Sequence, residues 1–241
     1  MSENLNENNE NGQALEEEEN KFEGDKFYKF AKGKGVMNLP NKLTISRVIM
    51  IPLFILFFYL PFIGHFVVAL AVFAVASLTD LFDGKIARKY NLITNLGKFL
   101  DPIADKVLVL SAFVVFLTIP WIFTVFTGSW AIIVAGCGVA VILAREIIVS
   151  GFRMVAADAG IVIAADKIGK YKTVTQMVAV VILLISASLL DIFGINYGRE
   201  WLVTLNKVIS YTGLVFFAVS VILTVISGIN YVVKNKEVLK R

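Results

Sequence analysis

The sequence predicts an all-α integral membrane protein with six transmembrane helices and an N-terminal interfacial amphipathic segment. Three observations carry that class. The chain of 241 residues is 57% hydrophobic and only 17% charged, too apolar for an ordinary soluble domain. Four uncharged runs, Val48–Thr79, Val107–Ala144, Thr173–Leu190 and Val208–Val233, are long enough to cross a bilayer, which takes ~20 residues with a range of about 17–25. Basic residues alternate between the connections that separate them. The first two runs are too long for one crossing, and each is interrupted, by Pro61 and Gly64 and by Thr127-Gly128-Ser129. Helices are expected at 43–60, 66–89, 98–119, 130–153, 168–190 and 206–233.

Residues 1–25, rich in Asn and Glu, read as a disordered acidic tail. Residues 1–26 hold nine acids and two bases, so the remaining chain has 21 bases and 10 acids and is strongly basic. Residues 26–42 interleave Lys26, Lys29, Lys32, Lys34 and Lys42 with Phe27, Tyr28, Phe30, Val36, Met37 and Leu39. That pattern suits a segment lying on an anionic membrane surface. Pro40 is expected to end any preceding helix and Asn41 to cap the next. Residues 43–235 form the six-helix domain, and 236–241 a basic tail. The single histidine, His65, reads as a surface group. The single cysteine, Cys137, lies in mid-helix and reads as small apolar packing; it excludes a disulfide framework within the chain. No cleavable secretory signal is visible.

The connections alternate in charge. Lys85, Arg88, Lys89 and Lys98 fall between the second and third helices, and Arg145, Arg153, Lys167, Lys170 and Lys172 between the fourth and fifth. Lys234, Lys236, Lys240 and Arg241 follow the last; the intervening connections carry at most one base. Both termini and both basic connections are therefore expected in the cytoplasm of a multi-pass cell-membrane protein, as an even number of crossings also requires.

The chemistry concentrates in one stretch, residues 80–105. Asp80 and Asp83 are three apart and Asp101 and Asp105 four apart, so each pair shares a helix face. Ionisable groups beside hydrocarbon need partners and mark function by default. Four carboxylates meeting across a helical hairpin form an all-oxygen site, which suits Mg²⁺ or Mn²⁺ rather than zinc. Two such ions would position a diphosphate. Gly84, Ala87 and Gly97 leave room for a bulky ligand, and Arg88, one turn beyond Gly84, can clamp a phosphate. The competing structural reading is a set of buried ion pairs between the aspartates and Arg88 or Lys98. Asn41 and Thr44 are either parts of a helix start or polar contacts for a headgroup. A second cluster, Arg145, Arg153, Lys167 and Lys170, with Arg47, suits an acceptor that carries its own phosphate. Positive-inside topology with anionic-lipid contact explains the same bases equally well.

Asp80-x-x-Asp83-Gly84-x-x-Ala87-Arg88, then eight residues, then Gly97-x-x-x-Asp101-x-x-x-Asp105 resembles the complete signature of the CDP-alcohol phosphotransferase family. The resemblance implies that family's six-helix fold, a homodimer and two divalent metal ions. It implies transfer of a phosphatidyl group from a CDP-lipid to an alcohol, with release of CMP. On this likeness Asp80, Asp83, Asp101 and Asp105 are metal ligands, and Asp105 is also the general base. Asn41, Thr44, Gly84, Ala87, Arg88, Thr94 and Gly97 line the CDP-diacylglycerol site. Over residues 37–235 the chain is similar to the branch of the family whose acceptor is sn-glycerol 3-phosphate. The supporting stretches are Asn38–Arg47, Gly97–Lys106, Ala144–Arg153 and Gly169–Thr173. Arg47, Arg145, Arg153, Lys167 and Lys170 would then hold the acceptor phosphate. Alternatives are a sister transferase using an inositol phosphate or phosphatidylglycerol and, more remotely, a divalent-cation transporter. The latter would place its acids in mid-membrane and show inverted repeats, and no repeat is visible. The expected partners are CDP-diacylglycerol, sn-glycerol 3-phosphate and membrane lipids, with no nucleic acid.

Overall fold

The computed structural model describes residues 38–89, 95–124, 127–158, 167–194 and 200–234. Among these it contains seven helices and no strand. They are α1 (Leu39–Tyr59), α2 (His65–Lys89), α3 (Asn95–Thr118), α4 (Trp121–Thr124), α5 (Trp130–Asp158), α6 (Lys167–Phe193) and α7 (Glu200–Lys234). The one-turn α4 follows Pro120, where the second long apolar run bends. The acidic tail, the interfacial residues up to 37, the 90–94 connection and the basic tail after 234 lie outside the described residues.

Four stretches are long and apolar enough to cross a bilayer: Asn41–Tyr59 in α1, Trp130–Arg153 in α5, Ile168–Phe193 in α6 and Glu200–Lys234 in α7. Among the described residues, the other two expected crossings, α2 and α3, contain the apolar stretches His65–Thr79 and Lys106–Thr118. Large apolar side chains face outward, Ile63, Ile133 and Ile147 being 81%, 69% and 71% exposed. That is how a chain solvated by lipid presents its surface.

The chain divides into two compact units, residues 1–48 with 77–104, and residues 49–76 with 105–241. The described part of the first unit comprises Asn38–Val48, Ser77–Lys89 and Asn95–Ala104. Its α1 segment begins on a cap: the Asn38 Oδ1 accepts the Asn41 N–H at 3.0 Å. Asn38, not Asn41, is therefore the N-cap, and Pro40 sits inside the first turn. Proline is at home there because the backbone N–H it lacks would have no helical partner. Helix α1 thus starts four residues before the expected 43, and residues 39–42 are its first turn.

The second unit has an aromatic core. Phe54, Phe58, Phe66, Phe73, Phe113, Phe116 and Phe123 are all buried. Phe58 meets Phe66 edge-on at 5.0 Å between centroids, and Phe113 lies 5.2 Å from Phe217 of α7. Apolar side chains gain nothing by hiding from lipid, so such contacts depend on close packing rather than on exclusion of water. Glycine provides that closeness: a Cβ on Gly213 would come within 2.9 Å of Leu183, and one on Gly138 within 3.0 Å of Phe217. The buried face of α7, Asn206, Ser210, Gly213, Phe217, Ser220, Thr224, Ser227 and Tyr231, steps by alternate fours and threes and is mostly small or polar.

Two single-residue expectations change. Cys137 is in mid-helix but exposed on α5 rather than packed inside. His65 is not a surface group: it is partly buried, with its Nε2 3.8 Å from Asp191 Oδ1. Asp191 Oδ2 also accepts the Gly64 N–H at 2.6 Å. Gly64 has φ 87°, a conformation that admits glycine without strain. The acid at the end of α6 thereby caps the start of α2.

Candidate active site

Two helix ends and one polar cluster carry the groups singled out by their chemistry. Helix α2 ends with Asp80, Asp83, Gly84, Ala87 and Arg88, spaced i, i+3, i+4, i+7 and i+8. Helix α3 begins with Gly97, Asp101 and Asp105, each four apart. Both spacings are single stripes of a continuous helix. The donor set is all carboxylate, so a hard divalent cation fits it and zinc does not. Thr94 and the side chains of Asp80, Asp83, Ala87, Arg88, Asp101, Asp105 and Lys167 lie outside the described residues. Among the described ones, no cluster of three His, Cys, Asp or Glu is found.

In the first unit, α1 presents Asn38, Asn41, Thr44 and Arg47 at intervals of three, and all four are buried. A buried polar stripe at the entry of an apolar helix is costly unless it is satisfied, and each of these residues takes part in further interactions. Asn41, Thr44 and Arg47 were each singled out from the sequence, and they share this face.

The second unit contains a cluster that sequence reasoning assigned only in part. Its centre is Glu146 of α5, 6% exposed. The Lys172 ammonium of α6, itself 3% exposed, donates to Glu146 Oε1. Arg145 Nη1 reaches the same oxygen at 3.3 Å, and Lys106 Nζ of α3 lies 3.6 Å from Oε2. Outward from this centre, Lys106 donates to Ser150 Oγ at 2.7 Å, and Arg145 Nη2 to Ser227 Oγ of α7 at 2.6 Å. Beside it lies a cavity of about 30 Å³, lined by Lys106, Val109, Leu110, Glu146, Lys172, Thr173 and Gln176. That space is on the scale of one or two water molecules.

Of the bases expected to hold an acceptor phosphate, Arg145 joins this cluster. Arg153, two turns further along α5, is exposed, with its guanidinium 5.6 Å from the centroid of the Tyr231 ring. Lys170 is exposed on α6. Lys106, Glu146 and Ser227 were not assigned a role from the sequence. The available signal was their position: each is a polar group within or against an apolar run, where none is needed for folding.

Residues 37–226 match the CDP-alcohol phosphatidyltransferase family. The chain belongs to that family. The CDP-diacylglycerol–glycerol-3-phosphate 3-phosphatidyltransferase of Bacillus subtilis (strain 168) is 35% identical over 220 residues, covering 85% of this chain and 98% of the relative. Proteins of the same name from Escherichia coli (strain K12) and Salmonella typhimurium (strain LT2) are each 38% identical over 197 residues, covering 80% of this chain and 92% of theirs. The family match contains the entire aspartate motif and every member of the Glu146 cluster except Ser227, which is one residue past its end. Family membership and the apolar helices together make this a multi-pass membrane enzyme.

Proposed function

We propose that the protein transfers the phosphatidyl group of CDP-diacylglycerol to the primary hydroxyl of sn-glycerol 3-phosphate, giving phosphatidylglycerophosphate and CMP. The observation that carries this reading is the extent of the likeness: 98% of the length of the Bacillus subtilis transferase aligns with this chain.

The residues divide the work by chemistry. Asp80, Asp83, Asp101 and Asp105 would hold two divalent ions, Mg²⁺ or Mn²⁺, which when bound supply positive charge against the diphosphate and the departing CMP. Asn41, Thr44, Gly84, Ala87, Arg88, Thr94 and Gly97 bind and orient the CDP-lipid. Arg145, with Arg47, Arg153, Lys167 and Lys170, holds the acceptor's phosphate by charge-assisted hydrogen bonds. Asp105 takes the proton of the acceptor's primary hydroxyl. The acceptor oxygen bonds to the phosphorus that carries the diacylglycerol, and that phosphorus releases the bridging oxygen, which leaves with CMP. Direct displacement needs no nucleophile from the protein.

The same reading extends to topology and assembly. Helices α2 and α3 cross the membrane as well, with the aspartates at the cytoplasmic boundary of the cell membrane. Both termini are cytoplasmic, and the working form is a homodimer.

CMP release from CDP-diacylglycerol in detergent tests the reading. It should require both a divalent cation and glycerol 3-phosphate, and it should not respond to glycerol, inositol phosphate or phosphatidylglycerol. Equal rates across that acceptor panel would sink the acceptor assignment. Asp105→Asn should abolish turnover while retaining CDP-lipid binding; near-normal turnover would remove Asp105 as the base.

A further inference from the structure

Three bases from three helices, Lys106, Arg145 and Lys172, converge on one buried carboxylate. They differ in access. Lys172 and Glu146 side chains are 3% and 7% exposed, Arg145 13% and Lys106 28%. The cavity beside them, about 30 Å³, is too small for a three-carbon phosphate ester. By exposure, Lys106 and Arg145 are the members of this cluster open to an acceptor, while Glu146 and Lys172 are buried.

We infer that Glu146, backed by Lys172, is a positioning residue that sets where Lys106 and Arg145 present their donors to the acceptor phosphate. The inference rests on the acceptor reading above and adds Lys106 to the groups that touch it. Lysine and arginine side chains have many rotamers, and fixing them in advance removes an ordering cost from binding. A single carboxylate with two oxygens does this for both. Oε2 lies within reach of Lys106, and Oε1 meets both Arg145 and the more deeply buried Lys172. Ser150 and Ser227 each accept a further hydrogen bond from the outer bases, at 2.7 and 2.6 Å. Removing the carboxylate would leave the charges in place but release both outer side chains.

Steady-state CMP release in mixed micelles tests this with Glu146→Gln and Glu146→Asp. Glu146→Gln should raise KM for glycerol 3-phosphate about tenfold, the scale of one weakened hydrogen bond to a charged group. KM for CDP-diacylglycerol should stay within about twofold, because only the acceptor meets these bases. Glu146→Asp should recover part of the loss, since it restores the charge on a shorter arm. Should Glu146→Gln not yield folded protein, Lys172→Met reads the same KM by removing the backing group. Two results would overturn the inference: an unchanged acceptor KM in the folded variants, or equal rises for both substrates, which is the mark of a purely structural role. If the wild-type enzyme itself ignores glycerol 3-phosphate, the acceptor reading fails first and separately.

Discussion

The two ends of α6 carry opposite charges, and each end carries the sign that its own helix dipole disfavours. Bases crowd its first two turns, at Lys167, Lys170 and Lys172, and an acid, Asp191, stands in its last. The preferred arrangement is the reverse. At the acidic end the compensation is local and complete: Asp191 caps the Gly64 N–H and faces His65, so the group that is wrong for α6 is right for the start of α2. At the basic end the compensation comes from Glu146, which also serves Arg145 and Lys106. A buried ion pair is rarely the cheapest way to join helices, because an apolar pair of equal volume often does as well. Asp191 has the form of a structural clasp, whereas the Glu146 cluster has the form of a site that folding alone does not require.

If that contrast is right, removing the centre of the basic end should have the largest effect on stability. Glu146→Leu leaves Lys106, Arg145 and Lys172 without their shared carboxylate, and loss of one partner from a buried ionic group costs about 3–5 kcal/mol. Thermal unfolding in detergent should show the largest fall of any single variant discussed, with glycerol 3-phosphate-dependent CMP release lost. A variant as stable as wild type would mean that the cluster is solvated and not buried.

The middle of α6 supplies the uncharged reference. Gly213→Val on α7 drives side-chain atoms into Leu183 and Ile182, which even a single Cβ would approach to 2.9 and 3.2 Å. Overpacking of this kind costs about 1–3 kcal/mol. Both KM values should be unchanged in the fraction that folds, measured as activity per mole of monodisperse protein. Asp191→Ala should come next, at about 1–2 kcal/mol for a lost helix cap, again with kinetics intact. Asp191→Asn keeps an acceptor for the Gly64 N–H and should lose less. A shift in acceptor KM with either Asp191 variant would erase the distinction between the two ends.

The contrast also marks how far sequence reasoning reaches. Helix extents were legible because hydropathy is a local property: the expected 66–89 and 130–153 became His65–Lys89 and Trp130–Asp158. The start of α1 was misplaced because Asn38 and Asn41 are equally good caps on paper, and only backbone geometry chooses between them. The aspartate motif was legible because its members lie within two short segments at helical spacing. The Glu146 cluster was not, because its contacts join residues 26 and 82 apart, on helices whose faces no spacing rule orients toward each other. The Asp191 clasp spans 127 residues, and His65 was read as a surface group for the same reason.

Arg153 is the residue on which the two readings of the basic cluster differ by least, and it gives the smallest expected effect. Its guanidinium lies over the Tyr231 ring, itself buried between α5 and α7 beside Phe152, and an exposed cation–π contact of this kind is worth about 0.5–1 kcal/mol. Arg153→Lys keeps the positive charge for topology and for anionic lipid but gives up planar stacking and the two-pronged grip on a phosphate. If Arg153 serves the acceptor, KM for glycerol 3-phosphate should rise about fivefold, the equivalent of ~1 kcal/mol, with stability nearly unchanged. If it only anchors the end of α5 on Tyr231, Tyr231→Leu should reproduce the small stability loss and neither variant should move the acceptor KM. That second outcome would confine acceptor recognition to the bases arranged around Glu146, leaving the exposed arginine to the membrane surface.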